Sequence, residues 1–305
     1  MRRKFIFIGS KPLGLSVLKK VHEISSDNLV GVITLDDRDD ARGCLEEYVA
    51  FCREGGIDLI VANNRDSLER HASRFNAEIC LVLGWYRIFP KAFIEMFEHI
   101  IGVHNSLLPK YRGMSPLVWS IINGEKKIGY SVFSIVEEMD AGDIWWQEDL
   151  ELGDNENISD ALKKIECALL NSIEKKWLPI LNDQVQPVKQ NHSLATYCAE
   201  RLPDDGRINW HLSALMVHNF IRALQFPYPG AFVFFNGYKV YIVKSRVFSQ
   251  RYYGVPGQIA RFDEDGSAYV VCGDNRAIII DYVRLNDNKL FRPKEIFRSV
   301  RIRFQ

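Results

Sequence analysis

The 305-residue chain carries no net charge, with 39 Lys+Arg against 39 Asp+Glu at pH 7. Its overall balance therefore supplies no general attraction to nucleic acid or to an anionic membrane. Long apolar runs are missing as well. The first, Phe5 to Ile8, is broken at once by Gly9-Ser10-Lys11-Pro12, too early for a signal-peptide core or a membrane span. No membrane partner is expected. The six cysteines (Cys44, Cys52, Cys80, Cys167, Cys198, Cys272) form no Cys-x-x-Cys pair. That removes the usual pattern of a zinc site or a disulfide framework, so no metal is expected and reduced thiols in a cytoplasm fit best. There is no Gly-x-Gly-x-x-Gly and no P-loop lysine. Gly9-Ser10-Lys11-Pro12-Leu13-Gly14 stands where a dinucleotide fold would place its phosphate loop, but its plain reading is a strand-to-helix turn. Internal repeats and low-complexity segments are absent.

What remains is an ordinary soluble composition, 47% hydrophobic and 26% charged, with length enough for two domains. The charge is unevenly spread: from Arg201 to Gln305 there are 16 Lys+Arg against 9 Asp+Glu. A basic C-terminal part suits an anionic ligand such as a nucleotide-sugar, or RNA, or is simply a solvated face.

Short apolar runs at Phe5–Ile8, Leu29–Thr34, Asp58–Val61, Ile79–Leu83 and Ile100–His104 alternate with helical spacing at Leu13–Ile24, Cys44–Arg53 and Ser67–Phe75. Strand and helix in units of about 25 to 30 residues imply βαβ crossovers and a Rossmann-like parallel sheet covered by helices, with ligands at the carboxyl ends of the strands. His104 and Gly84-Trp85-Tyr86-Arg87 both fall at such ends. Two more strands, Gly129–Val136 and Ile144–Leu152, flank a turn at 137–143, and a long helix over Ser159–Trp177 follows. A second helix, Ser213–Leu224, precedes alternating strands at Ala231–Phe235, Tyr238–Val247, Gly257–Phe262, Ala268–Cys272 and Ala277–Val283. Asn236-Gly237, Asp265-Gly266 and Gly273-Asp274 punctuate them, which suggests a small antiparallel barrel. The expected division is residues 1–185 as an α/β domain, 186–202 as a linker and 203–305 as the barrel domain.

The densest chemistry lies in His104-Asn105-Ser106-Leu107-Leu108-Pro109-Lys110-Tyr111-Arg112-Gly113 and Met139-Asp140-Ala141-Gly142-Asp143. A histidine next to a carboxylate that can orient it is the minimum for taking a proton off a nucleophile. These two stretches resemble the signature of the 10-formyltetrahydrofolate-dependent formyltransferases, Asn-x-His-x-Ser-Leu-Leu-Pro followed by an Asp-x-Gly turn. Pro116-Leu117, Asn123-Gly124-Glu125 and Gly129 keep the family's order. Pro203 to Trp210, Arg222 and Pro229-Gly230-Ala231-Phe232 resemble the C-terminal domain that methionyl-tRNA and nucleotide-sugar formyltransferases share.

The resemblance implies a Rossmann-like domain holding 10-formyltetrahydrofolate and a C-terminal OB-like barrel. His104 would act as general base and Asp140 would orient it. Trp85, Tyr86, Arg87, Ile88, Ser106, Val136, Glu137, Glu138 and Met139 would hold the folate, although Trp85 and Tyr86 also read as core aromatics. Ser10, Lys11, Pro12, Leu107, Leu108, Pro109, Arg112 and Gly113 would meet the acceptor. One position departs from the pattern: Gly102 stands where the family carries its catalytic asparagine. An oxyanion that loses one such donor costs on the order of 3 kcal/mol in barrier, about a hundredfold in rate. Asn105, a backbone N–H or protonated His104 are substitutes; a water filling the space is a weaker one; a folate-binding protein with little transfer is the remaining alternative. For the acceptor, Leu35-Asp36-Asp37-Arg38-Asp39-Asp40-Ala41-Arg42 sits where the tRNA enzyme has a basic insertion. Its acidity favours a nucleotide-linked amino sugar over tRNA, with Arg292, Lys294, Arg298, Arg301 and Arg303 keeping tRNA as the alternative. A formyltetrahydrofolate hydrolase is a further alternative, since water could replace the amine, but nothing in the chain resembles that enzyme's extra regulatory domain; a homodimer is compatible with the resemblance.

Overall fold

The computed structural model describes residues 2–40, 42–62, 68–286 and 288–304. Five parallel strands, β1 (Phe5–Gly9), β2 (Leu29–Leu35), β3 (Leu59–Ala62), β4 (Ile79–Leu83) and β5 (His99–His104), alternate with helices α1 (Lys11–Ser25), α2 (Leu45–Glu54), α3 (Leu68–Ala72) and α4 (Lys91–Ile94). After the short β6 (Arg112–Gly113) and α5 (Pro116–Ile122), β7 (Lys127–Ser134) and β8 (Ile144–Glu151) complete a seven-stranded sheet. Its order is β3-β2-β1-β4-β5-β7-β8, and β7 runs antiparallel to β5. The Rossmann-like α/β reading therefore holds. The expected helix over Ser67–Phe75 is the single-turn Leu68–Ala72, while Ser67 lies outside the described residues.

Central strands are continuous apolar runs because both their faces are covered. Phe5, Ile6, Phe7 and Ile8 have no exposed surface, and Ile79 to Leu83 are all buried. Pro12 sits in the first turn of α1, where a missing N–H costs nothing. The long helix, α6 (Ile158–Leu181), extends past the expected end at Trp177 and accommodates Pro179 in its last turn. Trp177 packs edge-on against Phe5, with ring centroids 5.0 Å apart, and its Nε1 donates to Ser25 Oγ at 3.1 Å.

The chain forms two compact units. One comprises Met1–Gly113, Gly129–Leu150 and Lys163–Tyr197; the other Met114–Ile128, Glu151–Leu162 and Cys198–Gln305. In the second, after β9 (Tyr197–Cys198), helix α7 (Ala214–Ala223) is capped by Ser213, whose Oγ accepts from Met216 N. Strands β10 (Ala231–Phe235), β11 (Tyr238–Arg251), β12 (Ile259–Phe262), β13 (Ala268–Val271) and β14 (Arg276–Arg284) pair antiparallel in the order β10-β11-β14-β13-β12. The short β15 (Leu290–Phe291) adds to β14, and α8 (Pro293–Phe297) follows. Strand β11 runs four residues beyond its expected end at Val247, and its register shifts bend it along β14. Neither α5 nor β9 was legible as an element. The apolar side of α5 packs on α7, and two-residue β9 exists only through its pairing with β6.

His218 on α7 is buried in the second unit. Its Nε2 faces the Asp154 carbonyl at 3.2 Å, which can only accept, so Nε2 carries the proton and Nδ1 accepts from Ser245 Oγ at 3.0 Å. Burial, reinforced by the nearby Arg222 guanidinium, holds this imidazole below its ordinary pKa of 6.5, although the Asp154 carbonyl and carboxylate pull the other way. The unfolded chain thus binds this proton more readily than the folded one. The stabilising contribution is complete above pH 6.5 and is lost as the pH falls toward the depressed folded value. We expect the melting temperature to decline on acidification below pH 6.5, and His218→Gln to remove that part of the decline in scanning calorimetry.

All six cysteines are free. Burial pushes the Cys44 and Cys52 thiols up to about 11 and Cys272 up to about 12, so these three stay protonated and unreactive near neutrality. Among the described residues, no group of three His, Cys, Asp or Glu could hold a metal ion, and no helix is long and apolar enough to cross a membrane.

Candidate active site

Strand β5 delivers His104. Alternation puts Ile100, Gly102 and His104 on one face; Ile100 is buried in the core beside Ile6, Ile8, Cys80 and Val82, which leaves His104 at the carboxyl end. His104 is itself buried and sits across from Ser131 of β7. The loop that follows then curls back on it. Tyr111 has φ +60°, a left-handed backbone that turns its carbonyl onto His104 Nε2 at 2.7 Å. A carbonyl only accepts, so Nε2 bears the proton and Nδ1 holds the lone pair. Nδ1 lies 3.7 Å from Asp140 Oδ2, which accepts the Gly113 N–H at 2.7 Å. The expected pair is thus assembled with different duties. The Tyr111 carbonyl fixes the imidazole tautomer, and Asp140 and Nδ1 present two neighbouring acceptors. Two acceptors about one ammonium apart are suited to an amine that arrives protonated and must lose that proton.

The other expected residues are placed as follows. The Asn105 carboxamide is half-buried and makes no hydrogen bond to another described residue. Ser106 Oγ donates to the Lys110 carbonyl at 2.6 Å, so it closes the loop. Ser131 Oγ reaches the Ser106 carbonyl at 2.6 Å and accepts from Leu108 N at 3.0 Å, while Gln147 Nε2 donates to the Leu108 carbonyl at 2.7 Å. Leu107 leans over Gly129, where any Cβ would meet its Cδ2 at 2.6 Å. Arg112 has no exposed surface; Gln190 Oε1 (2.8 Å) and His192 Nδ1 (3.0 Å) hold its Nη2, and its Nε has no partner. It therefore reaches a ligand only through the groups it holds.

In the open sheet the strand order reverses between β1 and β4, where such folds bind ligands. That point is closed by Ser10, whose N donates to the Leu83 carbonyl at 3.1 Å and whose Oγ donates to the Gly84 carbonyl at 2.6 Å. Lys11 is buried and bridges Asp37 at 3.0 Å and Asp40 at 2.9 Å. Burial opposes its charge, but the two carboxylates outweigh it and raise its pKa, while Arg42 and Lys11 outweigh burial in holding Asp40 below the usual carboxylate range. The acid-rich loop after β2 is thus largely neutralised by Lys11 of α1 together with its own Arg38 and Arg42, which pair with Asp36 and Asp40.

Trp85 is half-buried and stacks on Phe89 at 6.0 Å, as its core reading expects, yet its Nε1 has no partner. Tyr86 and Ile88 after β4, and Val136 and Met139 after β7, are apolar and exposed. Lys91, at the start of α4 after the first of these loops, and Glu137 of the second approach to 3.3 Å. Gly102 is not flanked by an empty niche. A Cβ there would stand 2.9 Å from Ile135 Cδ1 and 3.3 Å from Phe133 Cε1, so the side chains of Ile135 and Phe133 crowd the position, which disfavours the water that was one of the alternatives for it. Sequence reasoning missed Tyr111 and Gln190; neither carries a local signal, because Tyr111 acts through its backbone and Gln190 across dozens of residues.

An acid–base pair at the carboxyl end of a mainly parallel sheet, with exposed apolar residues on the loops after β4 and β7, is the site of an enzyme. The chain belongs to the formyl transferase family: the formyl transferase model matches residues 7–177 and that family's C-terminal domain matches residues 202–301. It is 31% identical over 273 residues to the methionyl-tRNA formyltransferase of Alkaliphilus oremlandii, covering 86% of each chain, and 28% identical over 311 residues to that of a Sulfurihydrogenibium species, covering 98% of each. In fold it is similar to an N-formyltransferase from Helicobacter canadensis, solved with folinic acid and dTDP-3-aminofucose. That likeness has a TM-score of 0.71 at 21% identity and covers 91% of this chain and 98% of the other.

Proposed function

We propose that this formyltransferase moves a formyl group from 10-formyltetrahydrofolate to the primary amine of a nucleotide-linked amino sugar. The observation that carries the chemistry is the His104–Asp140 pair with Nε2 tied to the Tyr111 carbonyl. In this reading Trp85 to Ile88, Ser106 and Val136 to Met139 flank the folate. Ser10 to Pro12, Leu107 to Pro109, Arg112 and Gly113 shape the acceptor side. The ammonium binds between Asp140 Oδ2 and His104 Nδ1 and yields a proton to Nδ1. The neutral nitrogen attacks the formyl carbon and the new C–N bond forms; the imidazolium passes its proton to N10 as the folate N10–C bond breaks, and the acceptor nitrogen then sheds its second proton through the freed Nδ1 to solvent, leaving a neutral formamide. The oxyanion between these steps needs a donor, and the uncommitted Asn105 carboxamide is the side chain we assign to it. The OB-like closure of the C-terminal sheet, domain limits at 1–185 and 203–305, a homodimer and a cytoplasmic location belong to the same reading.

The amino-sugar acceptor is favoured because the cations of the acid-rich loop, Arg38 and Arg42, and Lys11 packed against it each already face a carboxylate. A tRNA backbone needs cations to spare. The second reading, methionyl-tRNA, is favoured by the sequence relatives and by the basic balance beyond Arg201. Incubation with 10-formyltetrahydrofolate and a panel of nucleotide amino sugars, or methionyl-tRNA, followed by mass spectrometry, separates them. We expect a formyl mass gain on an amino sugar, with KM nearly independent of salt. A gain on tRNA alone, with affinity falling about 10³-fold or more between 50 and 200 mM salt, would reject the sugar.

A further inference from the structure

We propose that Gln190, in the stretch between the two domain matches, is a positioning residue that sets both halves of the His104–Asp140 pair; this rests on the formyl-transfer reading above. Gln190 is buried, and its carboxamide is fully used. Nε2 donates to the carbonyls of Asp140 at 2.8 Å and Gly142 at 2.6 Å, and Oε1 accepts from Arg112 Nη2 at 2.8 Å. Only one orientation of the amide satisfies two carbonyls and a guanidinium together, so its role as a bridge is chemically defined.

Each end of that bridge holds one half of the site. Asp140 has φ +52°, a left-handed conformation that a non-glycine residue keeps only where its surroundings hold it. Gln190 grips this turn on both sides through the two carbonyls. On the other side Arg112 lies between Tyr111, whose carbonyl fixes His104, and Gly113, whose N–H fixes Asp140. Burying a guanidinium is costly unless it is paired; Gln190 and His192 hold its Nη2 and Glu138 Oε1 approaches Nη1 at 3.5 Å, while Nε stays unpartnered, so loss of Gln190 removes one of its few partners.

Gln190 is one point of a longer strap. Val188 and Ile144 exchange backbone hydrogen bonds of 2.8 Å. Thr196 accepts from Tyr111 N through Oγ1 at 2.8 Å and from Arg112 N through its carbonyl at 2.8 Å, and its own N donates to the Pro109 carbonyl at 3.2 Å. Residues 188–196 therefore lace the Asp140 turn to the Tyr111 loop. Without Gln190 the two can drift apart, and a misplacement near 1 Å at such a site costs about a hundredfold in rate.

The test uses Gln190→Met, which keeps the shape and loses all three hydrogen bonds, and Gln190→Glu, which keeps the Arg112 partner but repels the two carbonyls. In the full-length protein, we expect kcat to fall about 10- to 100-fold in each, with KM for both substrates nearly unchanged and the limb of the pH–rate profile that reports His104 displaced. ¹⁵N spectra of histidine-labelled protein should show His104 as the Nε2–H tautomer in the native chain and as a mixture in Gln190→Met. An unmoved pH profile and tautomer in folded variants, even with a lower kcat, would overturn the positioning role. If the native chain formylates no amine, the functional reading fails while the tautomer comparison still decides the strap.

Discussion

His104→Ala lowers kcat by about 10²- to 10⁴-fold, the range a positioned acid–base group supplies, and leaves the dissociation constant for 10-formyltetrahydrofolate close to the native value. The imidazole is the one group at the pair that can take the amine proton and give it back. Asp140 accepts the Gly113 N–H and stands 3.7 Å from Nδ1, too far for a hydrogen bond, so it has no ready path for returning a proton to the leaving nitrogen. His104→Gln sharpens the result. Its amide N–H can still donate to the Tyr111 carbonyl and keep the loop in place, but nothing there removes a proton. The two variants should therefore lose similar activity, and His104→Gln should keep the native melting temperature better. Single-turnover assays and folate titration by fluorescence decide the matter. Turnover within threefold of native in either variant removes the general-base assignment, and with it the meaning of the Tyr111 contact.

The sheet was legible because its strands are buried on both faces. Phe5 to Ile8 and Ile79 to Leu83 announce themselves as continuous apolar runs, and their limits fall within a residue of those observed. His104 and Asp140 were legible as chemistry in turns. Their relation was not. The sequence puts a histidine and a carboxylate 36 positions apart and invites an orienting hydrogen bond, whereas the tautomer is set by a main-chain carbonyl that has no sequence signature. Gln190 was invisible for a similar reason. In a polar stretch with a proline and no periodicity, nothing separates a buried bridging amide from a solvated one, and its partners lie 48, 50 and 78 residues away. The acid-rich loop was read by counting charges along the chain. Lys11 enters that count only once α1 brings it beside Asp37 and Asp40. The departure at Gly102 was plain in the sequence, but what fills its place was not, because Ile135 lies beyond the end of a neighbouring strand.

Gly102→Asn alone lowers stability by about 1 to 3 kcal/mol, the usual cost of overfilling a packed site, and does not raise turnover. The new Cβ would stand 2.9 Å from Ile135 Cδ1 and 3.1 Å from its Cγ1, with Phe133 Cε1 at 3.3 Å, so the carboxamide has no room to point beside His104 until Ile135 gives way. Ile135 is tethered by its backbone N to the Ile100 carbonyl at 2.8 Å and packs on the core below, which leaves rotation of its side chain as the only cheap relief. Ile135→Ala should make that room. In a double-mutant cycle read by chemical denaturation, the pair should show a favourable coupling of about 0.5 to 3 kcal/mol, as expected for residues in contact. The kinetics of the double variant then separate two states of the native site. If the oxyanion lacks a side-chain donor, restoring the amide raises kcat by about a hundredfold. If Asn105 already donates, the double variant gains little, and Asn105→Ala in the native background loses about that hundredfold instead. Ile135 thus stands with Gly102 as one exchange, an amide given up for an apolar side chain, and additive effects of the two substitutions on stability would show that the positions are independent.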